Sequence, residues 1–503
     1  MWHLYYPLLA LAAYIFYTRF LHPLSRVPGP FLASLAPLWL AWQCMHTRRP
    51  RLDLDLHKRY GSVVRITPDE VIFSSPEYFK TVYGAGTKYV KSRYYEAPVG
   101  MPQKEGWDKL DLLVETDVEK LRVQKRTAGP IYSTANVKKH EGLINNNIAR
   151  WLQRLKGLAG KPLHLYHEIE LLNVDTVCEV TFKKPFGAVE AGSDGGHMES
   201  IWAHWEHVGW LGFLPWLNTV EKKLMPWMAS LLPAPKVPVF YFARNQIDSH
   251  QKARDAGGQE ELPECMHTDF HRLAKEKPDF RANWGSQLSK TNIGAGIDTM
   301  SQTMSAVIIG VCQTPSAYAQ LRAELDTAVT SGLITKGDEP VSYDAAAGLL
   351  YLQACMHEAM RLWPNVAIAL PRTVPRGGVE IDGYYIPEGY TVGMNPRQLG
   401  RNEEVFGAET DSFRPERWLE ASKERRNDMQ GRNLAFGGPS RRCPGMHLAW
   451  FVCSKTLASL FLNFDLKVLN ELDGPPGPGG GKWVEQGAFP TRWHGWEVEV
   501  TPR

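Results

Sequence analysis

The 503-residue sequence predicts a mainly α-helical fold with small β-sheets, carried behind an N-terminal transmembrane anchor. Three observations carry this reading. Residues 288–312 lack proline and place apolar side chains at helical spacing, which predicts one helix of about 25 residues, about 37 Å long. Short strand-like runs, 62–66 and 70–73, sit early, while the middle of the chain reads mostly as helix. From about residue 50 onward no internal repeat and no long linker is visible, so 50–503 is expected to be a single domain.

Residues 4–17 (LYYPLLALAAYIFY) are unbroken by charge, and the apolar character runs past Arg19 to Leu21. That makes about 18 residues, the lower limit for a bilayer-spanning helix. No small-x-small cleavage site follows, so 1–21 is expected to be an uncleaved anchor. No Lys or Arg precedes it, whereas Arg19, Arg26, Arg48, Arg49 and Arg51 follow; the positive-inside rule then leaves the large domain in the cytosol. Residues 22–49 are expected to form a proline-rich hinge and interfacial segment. In its first part, 22–30, the prolines end the helix and stiffen the exit. Its apolar part, 31–42, contains Pro37 and suits either a membrane interface or a helix packed on the domain. The Gly/Pro-rich stretches 256–263 and 473–481 read as surface loops.

Composition excludes several classes. With 44% hydrophobic and 22% charged residues the chain is neither disordered nor collagenous. The balance of 57 basic against 54 acidic residues argues against a nucleic-acid binder, whose footprint is a strong basic excess. Seven cysteines, at 44, 178, 265, 312, 355, 443 and 453, include no C-x-x-C pair. A disulfide scaffold or structural zinc site is disfavoured, and a reducing compartment with one special thiol fits better.

Three motifs carry chemistry. Within the long helix lies Ala295-Gly296-Ile297-Asp298-Thr299. Gly296 costs about 1 kcal/mol relative to Ala, and Asp and Thr are poor interior formers, so the plain reading is a solvated face. Glu358 and Arg361 stand three apart, which sets carboxylate and guanidinium side by side on a helix. Arg417, in Phe413-Arg414-Pro415-Glu416-Arg417-Trp418, can bring a second guanidinium to that carboxylate. A buried Glu between two Arg residues is an expensive element, kept where geometry must be fixed. The third motif, Phe436-Gly437-Gly438-Pro439-Ser440-Arg441-Arg442-Cys443-Pro444-Gly445, delivers a cysteine to the start of a helix, with Pro444 suited to its first position. Backbone N–H groups beyond it can point at the sulfur and favour thiolate.

Together these segments resemble the signatures of the cytochrome P-450 family, the haem-thiolate monooxygenases, over nearly the whole chain. The family's loop pattern F-x-x-G-x-R-x-C-x-G is matched at every fixed position except Pro439, where the family has glycine. A-G-x-D-T is matched by 295–299, and E-x-x-R by Glu358 and Arg361. The resemblance implies the family fold with 50–503 as a haem-thiolate catalytic domain. Cys443 becomes the axial thiolate of haem b, where an anionic sulfur pushes density onto iron and promotes O–O cleavage. Phe436 and Gly296 fall at cofactor-facing positions, and Arg441 and Arg372 at positions that hold the haem propionates. A further family position, an aromatic residue or His followed four later by Arg, is here Leu121 and Lys125 with Arg126 next. The propionate contact there falls to Lys125 or Arg126. Asp298 and Thr299 align with the acid and alcohol used in oxygen activation, and Glu358, Arg361 and Arg417 with a structural ion-pair triad.

No flavin or nicotinamide segment is visible, so electrons must come from a partner. The resemblance implies an NADPH-cytochrome reductase docking near Arg441 and Arg442, O2 as co-substrate, a lipophilic small-molecule substrate, and a place in the endoplasmic reticulum membrane among its lipids. The aromatic stretch Trp202, Trp205, Trp210, Phe213, Trp216 and Trp227 falls where the family places its access-channel helices, though a core stripe or a membrane-contact face suits it equally. Residues 365–370 and 487–490 match pocket-lining segments and are mostly apolar. The run Tyr83-Gly84-Ala85-Gly86-Thr87-Lys88 is similar to fungal members of the pisatin demethylase group, which implies secondary metabolism, by hydroxylation, O-demethylation or epoxidation. Rival readings are a haem-thiolate isomerase or dehydratase that does not use O2, against which the intact Asp298-Thr299 pair weighs, and a haem sensor or membrane scaffold, for which no partner-binding repeat is visible.

Overall fold

The proline-free stretch forms one helix, Trp284–Gln313, whose 30 residues exceed the length its spacing indicated. In this computed structural model, residues 2–46, 48–98, 109–228, 230–231, 237–255, 263–281, 283–337, 339–487 and 489–503 are described, with the side chains of 2–5, 226 and 228 outside that description. Most of the Gly/Pro-rich stretch 256–263 therefore lies outside the described residues. The long helix packs on Leu165–Phe182, in which every residue but His167 is buried. Gly296 permits that approach: a Cβ there would stand 3.1 Å from Val177 Cγ2. Further along, Asn173 Nδ2 donates to Ser301 Oγ at 2.8 Å. The helices Met266–Glu276, Leu350–Leu362 and Met446–Asn463 also pack on it.

Among the described residues four small sheets flank this helical core. The largest runs, in spatial order, Val63–Arg65, Glu70–Phe73, Thr391–Gly393, Arg372–Thr373 and Val90–Lys91. Its last two strands are antiparallel and set Lys91 directly opposite Arg372. A three-stranded sheet joins Pro162–Leu163, Val498–Pro502 and Phe464–Val468. The hairpin Val484–Gly487 and Thr491–His494 is tied inward, because Trp493 N donates to Gln302 Oε1 at 3.1 Å and Thr491 N to Asn365 O at 2.8 Å. The mainly helical architecture with small sheets is as the sequence predicted.

The transmembrane anchor is not. Residues Trp2–Phe16 form an α-helix of 15 residues, about 22 Å at about 1.5 Å rise against the ~30 Å of a hydrocarbon core. The backbone then widens into a π-helical turn, Tyr17–Leu21, and leaves it extended at His22. Among the described residues no helix is long and apolar enough to cross a membrane. The physical reason is that the end of the segment is fastened to the sheet: buried Arg65 donates from Nη1 to Thr18 O at 3.1 Å and Leu24 O at 3.4 Å. Residues 31–42 are split around Pro37 into Phe31–Leu35 and Leu38–Met45; the second buries Leu40, Ala41 and Cys44 and packs on His197–Leu211.

The E-x-x-R pair is wholly buried. Arg361 donates to both Glu358 oxygens, from Nε at 2.8 Å and from Nη2 at 2.7 Å. Arg417 Nε, Trp418 Nε1 and the Arg414 backbone N–H add contacts of 2.9 Å each. Burial pushes the Glu358 carboxyl up, but the Arg361 and Arg417 guanidiniums more than reverse it and hold it below its ordinary range. The stability it contributes is therefore present above the unfolded carboxyl's pKa and is lost as pH falls through the lowered value. Glu358→Ala leaves two guanidiniums buried without their carboxylate and should lower stability by about 3–5 kcal/mol, read as a lower guanidinium chloride midpoint. An unchanged midpoint would make the cluster incidental to folding.

Candidate functional site

The cysteine loop is built on local turns. Leu434–Phe436 and Pro439–Arg441 are short 3₁₀ turns, separated by Gly437 at φ 76°, a conformation that favours glycine. Gly438 sits against Tyr83, where a Cβ would come within 2.7 Å of that residue's Cβ. Pro439 opens the second turn with Gly438 as its cap, so proline's fixed φ suits the position where the family has glycine. Cys443 N donates to Phe436 O at 2.8 Å, closing the loop. The following helix is Met446–Asn463, so Pro444 lies outside it and does not take the first helical position.

Cys443 keeps accessible surface, yet enough protein lies around its thiol for burial to act on it. Burial pushes the thiol up, while the N–H of Gly445, the Lys125 charge and the N–H of Met446 pull it back toward thiolate. This is the backbone arrangement expected of the loop. Lys125 Nζ also donates to Arg442 O at 2.5 Å. Arg126 points elsewhere, into an exposed pair with Asp279 at 3.3 Å. Of the two alternatives at this position, the fold brings Lys125 to the site and not Arg126. Leu121 is buried.

Next to the loop stand Arg441, Arg372 and a residue the sequence reading missed, Lys91. Arg441 has buried Nε and Nη2 atoms without a hydrogen-bond partner, and burial together with Arg372 lowers its pKa. Arg372 stacks over Tyr83 and Tyr95 at 5.3 and 5.6 Å and donates to Tyr95 Oη at 3.1 Å. Lys91 donates to the carbonyls of Leu112 and Leu113 at 2.9 and 2.6 Å. Burial, then Arg372 and Arg441, bring its pKa down to about 7. Like charges directly opposite on a sheet repel. The one signal that could have found Lys91 is its place in a strand after the Gly-Thr-Lys turn, but only the pairing shows that the strand meets Arg372.

On the long helix, Ala295, Thr299 and Thr303 retain accessible surface at i, i+4 and i+8, while Ile297, Asp298 and Met300 between them are buried. The solvated-face reading is thereby corrected: Asp298 is 2% exposed. Thr299 Oγ1 donates to Ala295 O at 2.6 Å, and Thr299 N donates to Asp298 Oδ1 at 2.9 Å. Asp298 Oδ2 is buried with no hydrogen-bond partner. Burial raises this carboxyl to about 7 against the pull of the Thr299 N–H and the Trp205 side chain. Glu358, Arg361 and Arg417 form their own buried cluster, described above.

The aromatic stretch divides. Trp202 and Phe213 are buried, Trp205 and Trp210 half-buried, and Trp216 and Trp227 exposed. Phe489 meets Tyr94, Tyr95 and Trp205 at ring-centroid distances of 6.0–6.3 Å. Its neighbour at 488 lies outside the described residues.

The donor set fits an iron porphyrin. A thiol with converging N–H groups suits an iron ligand, and a repelling group of cations with two orphaned Arg441 donors suits carboxylates such as propionates.

Comparison with known proteins agrees. The family model for cytochrome P450 matches residues 32–480. The chain is 32% identical to a cytochrome P450 monooxygenase of Sordaria araneosa, sdnT, over 90% of this chain and 88% of that protein. It is 31% identical to the cytochrome P450 monooxygenase cicH of Emericella nidulans, over 92% of each. It is 29% identical to a pisatin demethylase of Fusarium vanettenii, over 90% of this chain and 85% of that protein. With a thiol loop and a cation cluster that suit haem, and a family match spanning most of its length, the chain belongs to the cytochrome P450 family.

Proposed function

We propose that this P450 monooxygenase inserts one oxygen atom of O2 into a lipophilic small molecule of fungal secondary metabolism, by hydroxylation, O-demethylation or epoxidation, with NADPH electrons delivered by a separate reductase. The observation that carries the reading is a titratable acid buried directly behind an accessible hydroxyl on one helix turn. Haem, when bound, supplies the binding and reductive cleavage of O2. The chain's own residues do the rest. Cys443 provides the anionic ligand, and the N–H groups of Gly445 and Met446 with the Lys125 charge stabilise that anion. Arg441, Arg372, Lys91 and Lys125 hold carboxylates. Thr299 Oγ1, whose proton goes to Ala295 O, keeps its lone pairs for a donor on the open side and so holds a water or proton donor there. Asp298, with its pKa near neutrality, takes up and releases a proton at Oδ2.

The buried apolar cluster of Phe213, Ile368 and Phe489, with the rings of Tyr94 and Tyr95, would suit a lipophilic substrate beside it. The half-buried Arg441 spends its side chain inward, so the exposed Arg442 is the better contact for a reductase. The exposed Tyr6, Leu8, Leu9, Phe20, Phe31, Leu38 and Trp42 suit a helix resting on the endoplasmic reticulum membrane surface.

The deciding experiment is turnover of a lipophilic substrate with NADPH, added reductase and isotopically labelled O2. One labelled atom per turnover is expected, in the modified substrate for hydroxylation or epoxidation and in the released formaldehyde for O-demethylation. An unlabelled product formed without NADPH consumption would favour the isomerase or dehydratase reading.

Thr299→Ala should keep haem and substrate binding but lower product per NADPH and release peroxide instead. One lost hydrogen bond in a dry site is worth about 1–3 kcal/mol, a roughly ten- to hundredfold change in that partition. Full coupling in the variant would reduce Thr299 to a packing residue.

Lys91→Met separates holding a carboxylate from holding the fold. It removes one of several mutually repelling cations but also frees the Leu112 and Leu113 carbonyls, so the stability of the haem-free protein is measured alongside haem affinity. Haem affinity, measured by transfer to apomyoglobin, should fall by roughly ten- to hundredfold, the value of one charge-assisted hydrogen bond. Unchanged haem retention would leave Lys91 as a clasp for the Leu112 and Leu113 carbonyls alone.

A further inference from the structure

Asp298 Oδ2 and Trp205 Nε1 are both buried and neither has a hydrogen-bond partner at ordinary distance, an acceptor and a donor left over. Asp298 lies on Trp284–Gln313, and Trp205 lies on His197–Leu211. Oδ1 is held by the Thr299 N–H, so the carboxyl cannot turn Oδ2 elsewhere without breaking that bond. Trp205 is the side-chain donor near enough to pull this carboxyl down against its burial. The ring itself is placed by packing on two sides. Trp205 lies against the main helical core and also against the smaller core containing Tyr94, Phe213 and Phe489, and it meets Phe489 edge to face at 6.0 Å.

We propose that Trp205 is the positioning residue for the proton-carrying acid: its indole N–H donates to Asp298 Oδ2, and packing against Phe489 sets that contact. The proposal rests on the reading of Asp298 as the proton carrier. An arginine or lysine in this place would hold the carboxylate permanently ionised, because an opposite charge nearby favours the charged form. A neutral N–H satisfies the oxygen while leaving it able to accept a proton. The other groups around the carboxyl do not replace it. From Leu165–Phe182 come Tyr166, whose hydroxyl is buried and unpartnered, and Glu170, which accepts from Trp202 Nε1 at 3.1 Å. Arg492, on Thr491–His494, lies over the Trp202 ring at 4.8 Å and acts on Tyr166 and Glu170. On the acid's own helix Gln302 turns its oxygen to Trp493 N.

The test uses the ferric holoenzyme and reads the acid directly. The protonated-carboxyl infrared band of Asp298, identified by its loss in Asp298→Asn, is followed with pH. In Trp205→Phe, which keeps a smaller aromatic ring against Phe489 and removes the N–H, the midpoint should rise by about one pH unit, a roughly tenfold weaker acid. Trp205→His, which restores an N–H, should return it part of the way. A midpoint in Trp205→Phe equal to that of the unaltered enzyme overturns the proposal. Should that variant fail to fold, the indole N–H resonance of Trp205 in the unaltered enzyme decides. It should shift with the same midpoint as the band, and a resonance indifferent to pH overturns the proposal. NADPH oxidation by Asp298→Asn tests the underlying reading separately. A normal rate there removes Asp298 from proton delivery, whatever the infrared result says about its partner.

Discussion

Glu358 accepts hydrogen bonds from Arg361, Arg417, Trp418 and the Arg414 backbone, and its two guanidiniums pass the constraint outward to six carbonyls. Arg361 donates to Gly400, Thr410 and Ser412, and Arg417 to Phe406, Ala408 and Glu409. The stretch from 400 to 412 has little regular structure, so these bonds take the place of a ladder. It leads, through Glu416–Glu420 and Lys423–Arg432, to the loop that presents Cys443. An isolated buried ion pair contributes little net stability, but a carboxylate shared by two arginines that also satisfy otherwise unpaired carbonyls does two jobs with one set of charges.

The cation cluster beside the loop follows the opposite electrostatic logic. Arg372 and Arg441 push the Lys91 pKa down, Arg372 lowers that of Arg441, Lys91 and Arg372 stand opposite one another on a strand pair, and the acid that Lys91 feels, Asp111, acts more weakly than Arg372 or Arg441. At Glu358 the protein supplies both signs. At Lys91 it concentrates one sign and leaves donors of Arg441 unused. Groups of one charge in a desolvated place are stabilised by a ligand of the other, which is why this arrangement suits the two carboxylates of a haem and not another protein segment.

What was legible in the sequence is what local spacing determines. Three-residue spacing placed Glu358 beside Arg361, the Gly/Pro run marked the cysteine loop, and the lack of proline marked the long helix. What was not legible depends on partners distant in the chain. Lys91 meets Arg372 only through strand register across some 280 residues, and nothing near position 91 announces it. Lys125 and Arg126 are neighbours in sequence, but the direction of their helix sends one to the thiol loop and the other to Asp279. At the N-terminus the apolar run looked long enough to span a bilayer. The hydrogen bonds of Arg65 to the carbonyls of Thr18 and Leu24 could not be read there.

The same distinction explains why a buried acid looked like a solvated one. Successive residues on an α-helix point about 100° apart, so Asp298 and Thr299 cannot share a face. Thr299 takes the accessible stripe with Ala295 and Thr303, and Asp298 is turned back between helices, where polar residues at helical spacing give no warning that the face is covered. Thr299, Ser301, Thr303 and Ser305 each donate to the carbonyl four residues earlier, contacts that tend to bend a helix and loosen its own ladder. At that turn Gly296 lets Val177 close in from one side while the accessible stripe opens on the other. Close packing behind and access in front come from one turn of helix, which is how an acid kept from bulk water can stand one residue away from a hydroxyl that is not.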